Sequence, residues 1–266
     1  MSTIQSIIIA IIEGLTEFLP ISSTAHMKFA HPLLGISPSP FVDMFEVVIQ
    51  LAAIGAVVVL YWKKFFDFKK ISFYIKLIIA VIPALVVGFL LKKHIDAALS
   101  NLVFISCVMV AGGVILLFID NVFKNPTIDS EENVTNKTAF IIGCGQVLSI
   151  VFPGLSRSAA TIITGMSQKL TRSAAAEFSF FLAVPTMLAA SAKSFLDTYL
   201  DHPEVLDKSN IITLLLGSAV AFIVAVLAIK FFIGFLKKYG FRIWGVYRII
   251  AGLIMLILIW QGFIKQ

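Results

Sequence analysis

Two short polar stretches interrupt an otherwise apolar chain. The first, Glu13-Gly-Leu-Thr-Glu17-Phe-Leu-Pro-Ile-Ser22-Ser23-Thr24-Ala-His26, gathers two carboxylates, several hydroxyls and an imidazole into fourteen residues. Glu13 and Glu17 are i and i+4, so on a helix they share one face. Pro20 ends that helix, Ser22 or Ser23 is placed to cap the next, and His26 follows one turn later. Such groups could attack an electrophile, move its proton or hold a hard cation. The second stretch is Pro153-Gly-Leu-Ser156-Arg157-Ser158-Ala-Ala-Thr161. A guanidinium fork suits phosphate or carboxylate, while Ser156 and Ser158 can cap a helix and donate to phosphate oxygens. Structural readings stand beside these. Arg157 could pair with Glu13 or Glu17, a glutamate near a membrane interface can snorkel, and Ser or Thr can satisfy its own helix backbone.

The elements that must position these groups are membrane helices. The chain has 266 residues, 59% of them hydrophobic and 14% charged, with a mean hydropathy of +0.99. A soluble domain of this length needs more polar surface, and the apolar residues come in long runs rather than stripes. Six runs are long enough to cross a bilayer: Phe41–Trp62, Ser72–Leu91, Leu102–Phe118, Ala174–Leu196, Ile211–Phe232 and Ile243–Ile264. Ile4–Ile12 and Thr138–Phe152 are too short to cross and end at the two polar stretches. They read as re-entrant hairpins, because non-helical backbone survives at that depth only inside protein or a wet cavity. The expected fold is all-α, a single membrane domain of six crossings plus two hairpins. Ile4–Ile12 has no basic flank and no small-residue cleavage site after it, so it does not read as a signal peptide.

The chain also repeats itself. At an offset of 133, Glu13 aligns with Gln146, Leu15 with Leu148, Thr16 with Ser149, Pro20 with Pro153 and Ser23 with Ser156, without gaps. Phe45-Glu46 through Leu51-Ala52 is echoed loosely by Glu177-Phe178 through Leu182-Ala183. The halves 1–120 and 138–266 are joined by the loop 121–137, read as a solvated linker. One hairpin and three crossings per half turn the second half upside down, the inverted repeat that places a site at the interface near midplane.

The net charge of +6 comes from basic residues clustered at the ends of apolar runs, which marks topology and headgroup contact rather than a nucleic-acid surface. Lys63, Lys64, Lys69, Lys70, Lys124, Lys137, Lys169, Arg172, Lys237, Lys238 and Arg242 fall on one side; Lys28, Lys92, Lys93, Lys208 and Lys265 fall on the other. The richer side is expected to be cytoplasmic. Both termini and the Pro-rich loop His31–Pro40 then lie outside, with the Glu13 hairpin entering from outside and the Arg157 hairpin from the cytoplasm. Cys107 and Cys144 read as two small buried side chains.

Each hairpin starts a helix just after its proline, so two positive helix ends and Arg157 would converge on an anion. The nearby carboxylates would repel that anion. Mg²⁺ or Ca²⁺ held by Glu13 and Glu17 removes the conflict, since hard cations take carboxylate and phosphate oxygens together.

The strings EGLTEFLPISSTAH and PGLSRSAATI resemble the two signature motifs of the bacterial undecaprenyl-diphosphate phosphatase family, and AAAEFSFFLAVP is similar to a further family segment. The resemblance spans essentially the whole chain. Alanines at 25 and 159 replace the family's usual glycines and remove no reactive group. The resemblance implies a plasma-membrane phosphatase, dependent on a divalent cation and open to the outer face. It would convert the polyprenyl diphosphate to the monophosphate carrier used in cell-wall synthesis, a step linked to bacitracin resistance. It implies Glu17, Ser23, His26 and Arg157 as the catalytic set, with Glu13 and Thr24 in support.

The combined expectation is phosphate binding by Arg157, Ser156, Ser158, Thr161, Ser22 and Thr24, and metal binding by Glu13 and Glu17. Ser23 would attack with His26 or Glu17 taking its proton, or a metal-bound water would attack and leave Ser23 as a ligand. A transporter or flippase for a phosphorylated polyprenyl lipid is the rival, because inverted repeats suit alternating access. An ion channel lacks its ring of charges or carbonyl-rich filter. The oligomeric state stays open, a homodimer included.

Overall fold

The computed structural model describes residues 1–264. In chain order the helices are α1 Thr3–Thr16, α2 Ser23–Leu34, α3 Pro40–Leu60, α4 Trp62–Phe65, α5 Ile71–Leu90, α6 Lys92–Leu99, α7 Leu102–Val122, α8 Asn136–Val151, α9 Arg157–Ser167, α10 Arg172–Asp201, α11 Lys208–Tyr239 and α12 Arg242–Trp260. Six of them, α3, α5, α7, α10, α11 and α12, are long and apolar enough to cross a membrane. They match the six expected crossings, with α10 and α11 extending past the apolar runs mainly at their C-terminal ends. Lys265, counted above for topology, lies outside the described residues.

The long helices face lipid as membrane helices should. On α5, Ile71, Ile75, Ile78, Ile82, Leu85 and Phe89 are exposed at helical spacing, while Leu77, Ala80, Val81 and Ala84 are buried. Exposed isoleucine at that spacing would be costly in water and is at ease against acyl chains. Inside, the helices pair as α3 with α10, α7 with α12, α1 with α11 and α8 with α5. The short helices approach the long ones closely through glycine. A Cβ at Gly14 would lie 2.7 Å from the Ala221 carbonyl of α11, and one at Gly143 would collide with the Ala80 backbone of α5. Without a side chain, two backbones can approach and gain dispersion contact where lipid offers no hydrophobic drive.

Three expectations need correction. Cys107 and Cys144 are exposed rather than buried, each on the outward face of its helix. The segment from His31 to Pro40 is not all loop. α2 continues to Leu34 with Pro32 inside it, ending at Gly35 in the left-handed conformation. The apolar neighbours of His31 and its contact with Glu46 favour the extra turn. The linker 121–137 is not simply solvated either. Thr127 and Ile128 donate backbone hydrogen bonds to the Lys169 carbonyl, Thr171 donates to Ile128, and Val134 is buried. Buried Glu131 pairs with Lys64, and Glu132 pairs with Lys70 at 3.0 Å, an ammonium that holds the Glu132 carboxyl below the usual range. The loop is a docked strap because its acidic residues meet Lys64 of α4 and Lys70 at the start of α5.

Candidate active site

α1 ends at Thr16, leaving Glu17 as its C-cap, and a four-residue turn leads to Ser22, the N-cap of α2. Ser22 sits at φ 70° and its Oγ accepts from the Ala25 N–H at 3.3 Å. The second hairpin uses the same device. α8 ends at Val151, the chain turns through Gly154 at φ 99°, and Ser156 caps α9 at φ 76° with its Oγ accepting from the Ala159 N–H at 3.3 Å. A serine held at positive φ stores strain that only the surrounding structure can fix, and such strain gathers at functional sites. The two caps correct the gapless repeat. Prolines 20 and 153 correspond, but the second turn has one more residue between its proline and its serine, so Ser22 matches Ser156. Ser23 therefore stands in the place of Arg157, each the first residue of a helix directed from its turn. Ala25 and Ala159 match as well, each giving its N–H to the cap.

The two turns meet. Ser23 Oγ donates to Glu17 Oε2 at 2.5 Å, and Arg157 Nη2 donates to Glu17 Oε1 at 3.0 Å. One carboxylate thus joins the hydroxyl to the guanidinium. Ser23 and Glu17 are buried, and the Arg157 side chain is 12% exposed. Arg157 Nη1 is held by the Ser179 carbonyl of α10 at 3.1 Å, while its Nε is buried without a partner. Glu13, one turn before Glu17, has no exposed surface, and neither of its oxygens receives a hydrogen bond. A bare carboxylate buried against a second one requires a proton or a cation.

The remaining expected residues divide into two groups. Ser158 and Thr161, proposed from sequence as phosphate ligands, are fully buried and occupied by protein. Ser158 Oγ donates to the Leu19 carbonyl at 2.7 Å and pairs with Ser156 Oγ at 2.9 Å, which stitches the second turn onto the first. Thr161 Oγ1 bonds the Arg157 carbonyl at 2.8 Å and Ser179 Oγ at 2.6 Å, bracing the turn that carries the guanidinium. Ser22 is committed to its cap, and Thr24 follows half-buried on the same turn. His26 does not touch Ser23. Its Nδ1 contacts the Ser22 carbonyl at 2.7 Å and its Nε2 contacts the Tyr247 hydroxyl at 2.8 Å. Glu17 is therefore the group that meets the Ser23 proton.

Sequence reasoning missed three contributors. Arg248 of α12 has no exposed surface and donates to four carbonyls: Pro20 at 3.0 Å, Leu155 at 2.6 Å, Gly154 at 2.9 Å and Met109 at 3.2 Å. It ties both turns together from beneath. Gly112 makes room for it, since a Cβ there would collide with the guanidinium. The signal was present: a lone arginine deep in an apolar run asks for a partner. The second is Tyr247, beside it. The third is Glu46 of α3, buried between Lys28 Nζ and His31 Nε2 of α2, each at 3.0 Å, which anchors α2 behind the end that carries Ser23. Among the described residues no group of three or more His, Cys, Asp or Glu could hold a metal on its own. Glu13 and Glu17 offer part of a coordination shell, and a hard cation would complete it with substrate oxygens and water.

Comparison with known proteins now bears on this geometry. Residues 6–254 match the family described as bacitracin resistance protein BacA. An undecaprenyl-diphosphatase of Flavobacterium psychrophilum is 52% identical over 258 residues, covering 97% of this chain and 96% of its own. Those of Flavobacterium johnsoniae and Bdellovibrio bacteriovorus are 50% and 44% identical, over 97% and 98% of this chain and 96% and 98% of their own lengths. The likeness runs through both turns and all six long helices, and the chain belongs to the bacitracin resistance protein BacA family.

Proposed function

We propose that this chain is an integral-membrane phosphatase that hydrolyses undecaprenyl diphosphate to the monophosphate carrier and phosphate, returning the carrier to cell-wall synthesis. The names of its relatives support the hydrolase over a transporter. The observation that carries the chemistry is the shared carboxylate, with Ser23 Oγ at 2.5 Å on one oxygen and Arg157 at 3.0 Å on the other.

Ser23 attacks the terminal phosphorus in line, its proton passes to Glu17 Oε2, and the bond to the bridging oxygen breaks to release the lipid monophosphate. Protonating Glu17 removes the charge that holds Arg157. The guanidinium is then free to grip the phosphoryl oxygens as their charge develops. Glu17 returns its proton to the departing lipid phosphate. Water, its proton taken by the regenerated Glu17 carboxylate or by His26 Nε2, then attacks the phosphoserine, so that phosphate leaves and Ser23 Oγ recovers its proton. The N-termini of α2 and α9 add N–H groups and positive dipole ends beside the same point. Glu13 and Glu17 would hold Mg²⁺ or Ca²⁺, whose contribution is to neutralise the diphosphate. The unpartnered oxygens of Glu13 fit that role. Ser22, Ser156, Ser158 and Thr161 serve by shaping the turns, with Thr24 the hydroxyl available to a phosphate oxygen.

The same reading takes the α1–α2 and α8–α9 pairs as half-depth hairpins entering from opposite leaflets. Related halves 1–120 and 138–266 would lie upside down to one another, and the pairing of α1 with α11 and of α8 with α5 is what a two-fold between them requires. On this reading the termini and the site opening lie on the outer side of a bacterial plasma membrane, which the distribution of lysine and arginine supports.

The test is phosphate release from undecaprenyl diphosphate by protein purified in detergent, where no second compartment exists. Wild type should release phosphate with Mg²⁺ or Ca²⁺ and stop with chelator, and Glu17→Ala and Arg157→Ala should be nearly inert. No release from any polyprenyl diphosphate across several cations would overturn the reading.

A further inference from the structure

Helix α12 presents one face to lipid. Its exposed residues from Ile243 to Ile257 are Ile243, Val246, Tyr247, Ile250, Leu253, Ile254 and Ile257, an apolar stripe at helical spacing in which Tyr247 alone carries a polar atom. A phenol in such a stripe normally sits at a membrane interface with its hydroxyl in water. This one points inward. Its oxygen lies 2.8 Å from His26 Nε2, and the two rings are nearly parallel, 8° apart with centroids at 5.6 Å.

The other ring nitrogen fixes the direction of that hydrogen bond. His26 Nδ1 faces the Ser22 carbonyl at 2.7 Å, and a carbonyl only accepts, so the imidazole proton is on Nδ1. In the neutral ring Nε2 then carries the lone pair and accepts from the Tyr247 O–H. Ser22 is also the positive-φ cap whose helix begins with Ser23, so the imidazole is tied to the turn that holds the attacking hydroxyl. With its backbone clasped by Ser22 and its far side by Tyr247, His26 is held in one tautomer and one rotamer at the place where the site meets lipid.

We propose that Tyr247 is a positioning residue of the phosphatase site: its hydroxyl holds His26 as the Nδ1–H tautomer, with Nε2 ready to accept a proton from the headgroup or from attacking water. This rests on the phosphatase reading and deepens it. The substrate is a lipid whose headgroup arrives from the bilayer side, and Tyr247 yields His26 Nε2 to it. The adjacent Arg248 sets the two turns from the same helix, so α12 fixes both the backbone and the imidazole of the site.

The experiment uses the full chain in detergent. Tyr247→Phe keeps the ring and its stacking and deletes one hydrogen bond. It should lower kcat for undecaprenyl diphosphate about three- to tenfold, the worth of one such bond, with the KM change under about twofold. In a His26→Gln background the same substitution should have no further effect, because the two act through one contact. A second readout needs no turnover: imidazole ¹⁵N shifts of labelled protein, assigned by their loss in His26→Gln. These should show the Nδ1–H tautomer in wild type and a redistributed ring in Tyr247→Phe. Wild-type kcat in Tyr247→Phe would overturn the proposal, as would an equal loss with and without His26, or an unchanged imidazole signal. Failure of wild type to release phosphate would instead sink the phosphatase reading. The tautomer measurement would still decide the Tyr247 contact.

Discussion

The two turns of this protein are built alike and do different work. Each leaves a short helix, passes a proline, and re-enters a helix through a serine at positive φ whose hydroxyl takes the N–H of an alanine three residues on. The next residue is Ser23 in one and Arg157 in the other. The helix before the first turn carries Glu13 and Glu17, whereas the helix before the second carries Gln146, hydrogen-bonded to Thr186 on α10, and no acid. One strained scaffold, used twice, aims a hydroxyl from one side and a guanidinium from the other at the same carboxylate. The lesson is that the scaffold sets direction, and a single residue after each cap sets chemistry.

Ser23→Ala breaks this comparison most directly. It leaves the cap and Glu17 in place and removes the proposed nucleophile, so phosphate release should fall by at least about 10³-fold. Release within a few-fold of wild type would return Ser23 to the rank of a ligand and leave attack to water. Arg157→Ala comes next, with an expected loss of about 10²- to 10³-fold, the scale of removing one preorganised donor from a developing oxyanion. Arg157→Lys should recover only part of it. A point charge can pair with Glu17, but it cannot span Glu17 and the Ser179 carbonyl as the fork does. Equal activity of the Lys and wild-type proteins would show that charge alone, not the fork, is what the second turn contributes.

Much of this was legible in the sequence. The six crossings were readable because lipid demands long apolar runs, and the two short helices because they stop at polar clusters. The Glu17–Arg157 contact followed from the cost of either charge alone at depth. What was hidden depended on geometry across the fold. Gapless alignment put Ser23 opposite Ser156, since pattern matching cannot see that the second turn spaces its capping serine one residue further from its proline. His26 stood beside Glu17 as a candidate base for Ser23 because it is one turn away, but a side chain's target depends on what packs over it, here Tyr247. Arg248 and Glu46 lie inside apolar helices with no motif around them, and their partners are backbone carbonyls or residues on another helix.

Arg248→Met sharpens the comparison by removing what the two turns share. Four carbonyls would lose a donor in a dry interior, at about 1 to 3 kcal/mol for each left unpaired. The thermal midpoint in detergent should fall sharply, together with activity. Gly112→Ala, which presses on the same guanidinium from α7, should reproduce a smaller version of both losses while leaving Arg248 in place. If Gly112→Ala kept full activity at reduced stability, Arg248 would hold the bundle together without setting the turns for catalysis.

The smallest effect separates strain from capping. Ser156→Ala deletes the hydroxyl that takes the Ala159 N–H and leaves a side chain at φ 76°, so it should lower stability by about 1 kcal/mol. Ser156→Gly deletes the same hydroxyl but relieves the positive φ, worth about 1 kcal/mol or more in the opposite sense, and should melt near wild type. The same pair at Ser22 should behave alike if the turns are equivalent. Activity should not follow stability. A glycine that relaxes Ser22 would let Ser23 drift from Glu17, so Ser22→Gly should melt like wild type yet turn over more slowly than Ser22→Ala. Were both glycine variants fully active, the strained serines would be caps only, and the aim of Ser23 and Arg157 would have to come from the packing of α2 and α9 instead.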